Sequence, residues 1–350
     1  MVSARRLLAV GVVAGAAAIL AAAATGNGAG AREDQATTSP FNVVAATAVG
    51  EKPGRLTYGY GATWTLNGDG SVSRVDATTR AVKTVKLGPN PRDIRAGYNL
   101  IWVLTSTKTQ ATIYTLNTAG AKVGKTVVIN LGTTSDQGSA SGQNGANTLG
   151  IGSGYVWAAG VKTWKNLARI DPTTRQVSVK QWPAPFAFVA ADSALWMVTP
   201  NQASIQKRSP SDLSVKATLP ISAATGGVAQ SAWLTYGSSY LWLSLATPND
   251  DGSVHKVSPT GGLVPNVSAS LNIGINCTAA GAGAVWVADL ADPADGTPAR
   301  LYRYSQADLT TVASGTLPTT GTPGGVQCVT VGGGLVYVTD GVGTLYTIQP

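Results

Sequence analysis

The sequence predicts an all-β protein built by repetition of one small antiparallel sheet, and three observations lead to that prediction. The 350-residue chain is rich in turn formers, with 42 Gly and 18 Pro, and only 12% of its residues are charged. After residue 40, an aromatic anchor flanked by aliphatic or β-branched residues recurs seven times. The anchors lie about 45 residues apart on average, which is the repeat length of four-stranded propeller blades. They are Trp64, Trp102, Trp157, Trp196, Trp242, Trp286 and Tyr337.

The amino-terminal segment has the charge order of a secretory signal. Arg5-Arg6 precedes an uncharged, Ala-rich stretch over residues 7–24, and small residues follow up to Ala29-Gly30-Ala31. We therefore predict a signal peptide over residues 1–31, cleaved after its last residue, with Ala24 as the second choice of cleavage site. An uncleaved anchor over residues 7–24 is the alternative, because that stretch reaches the lower limit for a membrane span. The Arg pair leaves the general secretory and twin-arginine routes both open.

Each repeat carries two further columns of similar residues around its anchor. Five positions before the anchors stand six glycines and one alanine, at a place where we expect a tight turn. These residues are Gly59, Gly97, Gly152, Ala191, Gly237, Gly281 and Gly332. In the third repeat the pattern predicts strands over residues 148–152, 155–158, 167–171 and 176–181, with turn chemistry at Asp171-Pro172. Such a sheet cannot bury both faces alone, so seven sheets stacked around a channel predict a seven-bladed β-propeller with buried anchors.

The last repeat lacks a fourth strand, and the first repeat is preceded by a spare one. The chain ends just after the third strand of repeat seven, whereas residues 41–49 form a strand-like segment before repeat one. We predict that residues 41–49 close the ring by pairing with residues 344–348. The predicted organisation is then a signal peptide, a flexible polar spacer over residues 32–40, and a single propeller domain over residues 41–350.

The rhythm of the repeat resembles a known group of proteins. The Gly-x-Gly, Val-Trp-Val and Arg-Ile-Asp-Pro-x-Thr elements, clearest over residues 152–174 and 281–287, are similar to those of bacterial seven-bladed propellers of the YVTN and NHL-like group. That group includes streptogramin B lyase-like proteins, and the resemblance covers about residues 41–350. It implies the fold rather than a function, because the group contains enzymes, sensor domains and binding scaffolds.

Catalytic residues of the lyase type cannot be carried over from this resemblance. Streptogramin B lyases are understood to use a divalent metal with His and Glu residues, including two His, on one face of the propeller. This chain has one His, His255, which stands in a permissive strand position, and its two Glu residues, Glu33 and Glu51, precede the first blade. We therefore assign no catalytic residue, and with only two Cys the chain cannot form a four-cysteine zinc site.

Acidic turns offer the best candidate metal ligands. Asp289, Asp292 and Asp295 follow the anchor Trp286, and oxygen-rich loops of this kind can bind Ca²⁺. Residues 249–252 are a second candidate and residues 67–70 a third. None of the three matches an EF-hand, so turn formation is the expected role of these residues and Ca²⁺ binding is the alternative. We therefore predict no required cofactor.

Cys277 and Cys328 occupy the same position in adjacent repeats, nine residues before their anchors. In an oxidising compartment this placement favours a disulfide at the channel mouth, provided that the two Cα atoms lie within about 7 Å. Two buried free thiols are the alternative.

The channel mouth is the predicted ligand site. The loops that enter the innermost strands, and those that follow the anchors, bring aromatic and amide side chains to one concave surface, which suits sugar or peptide recognition. The candidate ligand-binding residues are Arg55, Arg92, Asp93, Asn144, Asn147, Trp164, Phe186, Trp233, Asn276 and Gln327.

The functional prediction is an exported, non-enzymatic binding propeller of the bacterial cell envelope or medium. Its expected partner is an envelope protein, a peptide or a glycan, and we expect a monomer. The formal charge of +8 is scattered along the chain, whereas nucleic-acid binding needs clustered cations, so no nucleic-acid partner is predicted. The alternatives are a metal-assisted lyase or lactonase-type enzyme and a membrane-tethered sensor or assembly scaffold.

Overall fold

Seven four-stranded antiparallel sheets account for the strands of the part of the chain that the computed structural model describes. The described residues are 39–107, 109–131, 147–160, 164–225, 231–246, 252–271, 275–289, 298–318 and 325–350. The sheets are arranged as a seven-bladed β-propeller, which confirms the predicted fold class. The predicted signal peptide over residues 1–31 and most of the predicted spacer over residues 32–40 lie outside the described residues.

The first four blades each run outward from the channel in chain order. Blade 1 comprises β2 (Pro53–Gly59), β3 (Ala62–Asn67), β4 (Ser71–Asp76) and β5 (Val82–Lys86). Blade 2 comprises β6 (Pro91–Gly97), β7 (Leu100–Ser106), β8 (Gln110–Asn117) and β9 (Val127–Asn130). Blade 3 comprises β10 (Thr148–Gly152), β11 (Tyr155–Gly160), β12 (Trp164–Ile170) and β13 (Val177–Gln181). Blade 4 comprises β14 (Ala187–Ala191), β15 (Ala194–Val198), β16 (Ser204–Arg208) and β17 (Val215–Pro220).

The last three blades follow the same order, except that the final one takes a strand from the other end of the chain. Blade 5, preceded by the short helix α1 (Ser222–Thr225), comprises β18 (Ser231–Gly237), β19 (Tyr240–Ala246), β20 (Gly252–Ser258) and β21 (Gly262–Leu271). Blade 6 comprises β22 (Ile275–Gly281), β23 (Ala284–Asp289), β24 (Leu301–Ser305) and β25 (Thr311–Gly315). Blade 7 comprises β26 (Cys328–Gly332), β27 (Leu335–Thr339), β28 (Thr344–Gln349) and, outermost, β1 (Asn42–Ala48).

The ring closes as the sequence predicts. Each innermost strand packs against the innermost strand of the next blade, and β26 packs against β2. β1 pairs antiparallel with β28, in a register that places Asn42 opposite Gln349 and Ala48 opposite Thr344. Two distant segments of the chain thus share one sheet. No helix of the described residues is long and apolar enough to cross a membrane.

All seven anchors lie on the second strand of their blade and are buried. In blades 1 to 5 the indole N–H of the anchor donates a hydrogen bond to the carbonyl oxygen five residues earlier, as from Trp102 to Gly97 at 3.0 Å and from Trp157 to Gly152 at 3.1 Å. The anchor therefore fills the space between blades and also ties the end of the innermost strand to the second strand. The prediction of buried anchors is confirmed.

The glycine column has a different cause from the one that the sequence suggested. The tight turn follows this column: in every blade the two residues after it have positive φ, as at Tyr98 (56°) and Asn99 (57°), which is the signature of a type I′ hairpin. The column glycine is the last residue of the innermost strand, and it approaches the next blade. A Cβ at Gly97 would lie 2.3 Å from Cγ2 of Ile151. Close packing between blades, rather than turn geometry, excludes a side chain here.

Candidate functional site at the mouth of the central channel

Seven side chains form one layer near the start of the innermost strands, because each stands nine residues before its anchor. We call this layer the entry ring. Its members are Arg55, Asp93, Thr148, Ala187, Trp233, Cys277 and Cys328. The ring shares one end of the propeller with the connections that enter the innermost strands, and the type I′ hairpins lie at the opposite end.

Two members of the entry ring meet across the channel. Arg55 belongs to blade 1 and Trp233 to blade 5, three blades away around the ring, yet the guanidinium carbon of Arg55 lies 3.9 Å from the centroid of the Trp233 ring. Both side chains are half-buried. The indole N–H of Trp233 donates to the carbonyl oxygen of Ile275 in blade 6 at 3.2 Å, which fixes the ring plane. This cation–π contact partly closes the channel with two groups that remain accessible to solvent.

The carboxylate of Asp93 is buried, and both of its oxygens make structural contacts. One oxygen, Oδ1, accepts from the backbone N–H of Ile94 at 2.9 Å. The other, Oδ2, accepts from the backbone N–H of Leu149 at 2.8 Å and from the hydroxyl of Thr148 at 3.3 Å, and lies 3.2 Å from Nη2 of Arg95. Asp93 thereby joins blade 2 to blade 3. Three of these contacts fall on Oδ2 and one on Oδ1, so both oxygens of the carboxylate take part in structural contacts.

Burial sets the electrostatics of Arg55. Desolvation is the largest cause that lowers the pKa of its guanidinium, to about 10, while the charge of Asp93 raises it and that of Arg95 lowers it. Among the described residues, no acceptor takes a hydrogen bond from its N–H groups. Arg95, one layer deeper, donates from Nε to the carbonyl oxygen of Leu149 at 3.3 Å. The described mouth therefore places two cations beside one carboxylate that is already satisfied.

The remaining pair of the entry ring is covalent. Cys277 of blade 6 and Cys328 of blade 7 form a disulfide with 4.9 Å between their Cα atoms, within the limit for a bridge. Both residues are buried. The predicted bond is therefore present, and it joins two neighbouring innermost strands beside the strand of Trp233.

The layer one residue earlier contains five of the predicted ligand-binding residues. Arg92, Asn147, Asn276 and Gln327 are half-buried, while Phe186 is buried in the core of blades 4 and 5. The Nε atom of Arg92 and the Nδ2 atom of Asn276 are buried without a hydrogen-bond partner in the described part of the chain. The polar atoms left over at this mouth are thus mainly donors.

Several predicted site residues cannot be placed. Asn144, Asp292 and Asp295 lie outside the described residues, as does the side chain of Trp164. Asp289 is buried at the end of β23, where its charge contributes to the raised pKa of Tyr302, whose main cause is desolvation. No group of three His, Cys, Asp or Glu side chains that could hold a metal is found among the described residues. The Ca²⁺ site stays a prediction.

The single histidine stands away from the entry ring. His255 lies on β20, the third strand of blade 5, and its Nε2 atom lies 2.9 Å from the hydroxyl of Ser253. Burial lowers the pKa of its imidazole.

A groove between blades 3 and 4 is a surface that the sequence reasoning missed. It has a volume of about 770 Å³ and opens between Lys165, Gln181, residues 182–186 and Pro200. Trp182 packs at its base, buried against Phe188 and with the guanidinium carbon of Arg208 5.0 Å from its ring centroid. The Trp-Pro-Ala-Pro-Phe run over residues 182–186 is the signal that could have indicated it, since closely spaced prolines and aromatics between two strands form a rigid connection.

The fold and this site define a seven-bladed β-propeller with a partly closed channel. No protein-family model matches the chain, and no curated protein sequence matches it. Solved structures do. Virginiamycin B lyase from Staphylococcus aureus is 13% identical, with a TM-score of 0.64 over 87% of this chain and 98% of that one. The Cps50 (Swd1) β-propeller domain of Myceliophteria thermophila is 11% identical, with a TM-score of 0.64 over 89% of this chain and 100% of that one.

A chain of a mitotic checkpoint complex is also similar, at 10% identity and a TM-score of 0.62, over 93% of this chain and 99% of that one. At these identities the likeness establishes the propeller fold alone. The similar structures include an enzyme, a β-propeller domain and a chain of a complex, so membership of the streptogramin B lyase-like group stays a resemblance.

Proposed function

We propose that this protein is an exported binding propeller whose ligand site is the channel mouth around Arg55 and Trp233. The observation that carries the proposal is their contact across the channel, since it places an indole and a cation, both half-buried, together at the channel mouth. Ligand sites are commonly concave, with apolar walls and a few orienting polar groups. The expected partner is a peptide, a glycan or an exposed segment of an envelope protein.

Two independent features support export. Residues 1–31 have the charge and hydrophobicity order of a signal peptide. The disulfide between Cys277 and Cys328 suits an oxidising compartment outside the cytoplasm. The cell envelope and the medium both fit these features.

The scarcity of His and Glu in the chain favours binding over catalysis. The lyase resemblance calls for two His and a Glu, whereas His255 is the single histidine and neither Glu lies beyond residue 51. The entry ring and the layer one residue earlier supply two guanidinium groups, an indole and amides. These groups recognise ligands but are poor proton carriers near neutral pH.

The test is a thermal-melt panel on the chain from residue 32, with Ca²⁺, Mg²⁺, EDTA, cell-wall fragments, short peptides and small metabolites. A ligand that binds the native state raises Tm by mass action. We expect a rise that Trp233→Ala abolishes and that Tyr98→Ala retains, since Tyr98 is an exposed aromatic in a hairpin at the opposite end.

A rise that survives Trp233→Ala would contradict the proposed site, and a flat response to the whole panel would contradict small-ligand binding there. A rise that depends on Ca²⁺ or Mg²⁺ together with turnover of the ligand would instead favour the metal-assisted enzyme.

A further inference from the structure

The entry ring holds a guanidinium group whose hydrogen-bonding capacity is unused. Arg55 is desolvated enough that the pKa of its guanidinium is lowered to about 10, yet among the described residues it meets only the face of Trp233 and the charges of Asp93 and Arg95. Transferring a cation out of water is costly unless hydrogen bonds or a counter-charge replace the lost hydration. Asp93 supplies a nearby negative charge, but no described residue accepts a hydrogen bond from Arg55, so its N–H groups are available to an anionic ligand.

Asp93 acts on Arg55 through its charge but makes no direct hydrogen bond or ion pair with it. Its two oxygens already receive two backbone N–H groups, the hydroxyl of Thr148 and the guanidinium of Arg95. Turning it towards Arg55 would break the link between blades 2 and 3. The channel mouth instead keeps a second cation, Arg95, close enough to lower the pKa of Arg55. Repulsion between two guanidinium groups is relieved by an anion bound between them.

We propose that Arg55 is the receptor for the carboxylate end of a small ligand, an inference that rests on the proposed binding function of the channel mouth. Trp233 covers one face of the guanidinium, and among the described residues no acceptor takes a hydrogen bond from its N–H groups, which lie in the plane of the group. Two parallel N–H groups in that plane match the two oxygens of a carboxylate. The ligand body then extends along the indole of Trp233, and the buried Nδ2 atom of Asn276 supplies a further donor at the mouth.

The contact between Arg55 and Trp233 also predicts which oxyanions bind more tightly. A carboxylate is planar and fits an edge-on, two-point contact, whereas a tetrahedral phosphate gains most from donors that converge from several directions. Because the indole covers one face of the guanidinium, the N–H groups in its plane are the ones left to bind the ligand, so carboxylate binding is expected to exceed phosphate binding.

The experiment measures binding by isothermal titration in low-chloride buffer, using succinate, acetate, inorganic phosphate and acetamide as probes. Acetamide has the shape of acetate without its charge. We expect the chain to bind the carboxylates more tightly than phosphate and to show no binding of acetamide. Arg55→Gln is expected to weaken carboxylate binding by about tenfold or more, the loss typical of a charge-assisted hydrogen bond.

Two further variants separate the contribution of Arg55 from general effects. Arg74→Gln is the matched control, since Arg74 also lies over an aromatic anchor of blade 1, 5.7 Å from the Trp64 centroid, but makes a surface ion pair with Asp76. It removes the same charge and should leave binding unchanged. Arg55→Lys retains the charge without the planar fork, so it should bind carboxylate more weakly than the unaltered chain. A cooperative melt verifies that each variant is folded.

Equal carboxylate binding by Arg55→Gln, preference for phosphate, or equal loss in Arg74→Gln would each overturn the inference. A neutral ligand whose binding needs Trp233 but not Arg55 would leave the proposed function standing while refuting the carboxylate receptor. Binding that neither Trp233→Ala nor Arg55→Gln affects would refute both.

Discussion

Cys277 and Cys328, which lie 51 residues apart in the sequence, are bonded between the innermost strands of blades 6 and 7 with 4.9 Å between their Cα atoms. The bond sits one blade away from the junction at which β26 meets β2 and the ring closes. The next junction has no covalent link and relies on contacts such as the hydrogen bond from Thr339 Oγ1 to the carbonyl oxygen of Gly54, at 2.9 Å. The disulfide therefore reinforces the region where the two ends of the chain come together.

Removing the disulfide should destabilise the propeller without unfolding it. The double variant Cys277→Ala/Cys328→Ala frees a loop of 51 residues, for which the chain-entropy model gives a loss of about 4 kcal/mol in the free energy of unfolding. Urea denaturation of the oxidised chain and of the variant measures this loss. A reducing agent should lower the stability of the unaltered chain to a similar level and leave the double variant unaffected. If reduction changes neither protein, the bond contributes nothing.

Deleting the first strand should abolish cooperative folding. β1 supplies the outermost strand of blade 7, and Phe41 packs on the anchor Trp286 of blade 6, with 6.1 Å between the ring centroids. A truncated chain starting at Lys52 exposes the edge of β28 and the buried side chains beneath it. Its thermal melt should be broad or absent, whereas a chain starting at Ser39 should melt like the longer one. A full cooperative transition in the shorter chain would contradict ring closure by β1.

The periodic part of the structure could be predicted from the sequence because every blade is a sheet that must bury its faces against its neighbours, and the same residue pattern therefore recurs. The anchors, the strand order and the pairing of β1 with β28 follow from counting strands along the repeat. The glycine column was identified correctly, but its assignment to a tight turn was wrong. The sequence of one repeat indicates the hairpin after Gly97, whereas the contact with Ile151 involves the next blade. A contact between blades leaves no local signal in the sequence.

The site is less predictable for the same reason. Counting nine residues back from each anchor placed Arg55, Trp233 and the two cysteines in one ring. The disulfide could be predicted because the cysteines occupy equivalent positions in neighbouring blades. The stack of Arg55 on Trp233 depends on the reach of a long side chain across the channel, which no repeat pattern encodes. Asp93 lies in the same ring, but its role between blades 2 and 3 depends on the backbone of Leu149.

Adding one methyl group to the glycine column should destabilise an interface between blades. At Gly332 a Cβ would lie 2.0 Å from Cδ1 and 2.7 Å from Cβ of Tyr58, which is stacked on the anchor Tyr337. Because the root of the tyrosine side chain cannot rotate away, Gly332→Ala should cost about 1–3 kcal/mol of unfolding free energy. Gly343→Ala is the control, since no atom lies within 4 Å of its Cβ position. A similar change in both variants would show that backbone freedom, rather than interblade contact, sets the cost.

Acid should lower the free energy of unfolding by protonating the aspartates that accept hydrogen bonds in the outer turns. Backbone N–H groups of Thr79 and Thr78 lower the pKa of Asp76 from the ordinary 3.8 to about 2, and those of Thr174 and Thr173 lower the pKa of Asp171. A carboxylate whose pKa is lower in the folded state stabilises that state above its ordinary pKa, and the stabilisation disappears as the pH falls through the folded pKa. Between pH 4 and about 2, the free energy of unfolding should therefore decrease.

The double variant Asp76→Asn/Asp171→Asn isolates this effect, because an Asn side chain still accepts a hydrogen bond from the turn but does not titrate. Urea denaturation at several pH values between 2 and 7 should show a smaller acid-induced decrease in the variant, with little difference between the proteins at pH 7. Added salt should leave most of the contrast in place, since backbone hydrogen bonds are the leading cause of both shifts and ion pairs are minor ones. An acid-induced decrease of the same size in the variant would assign the pH dependence to other carboxylates, of which Asp69 and Asp308 are the next to substitute, because hydrogen bonds from Ser71 and Thr310 lower their pKa.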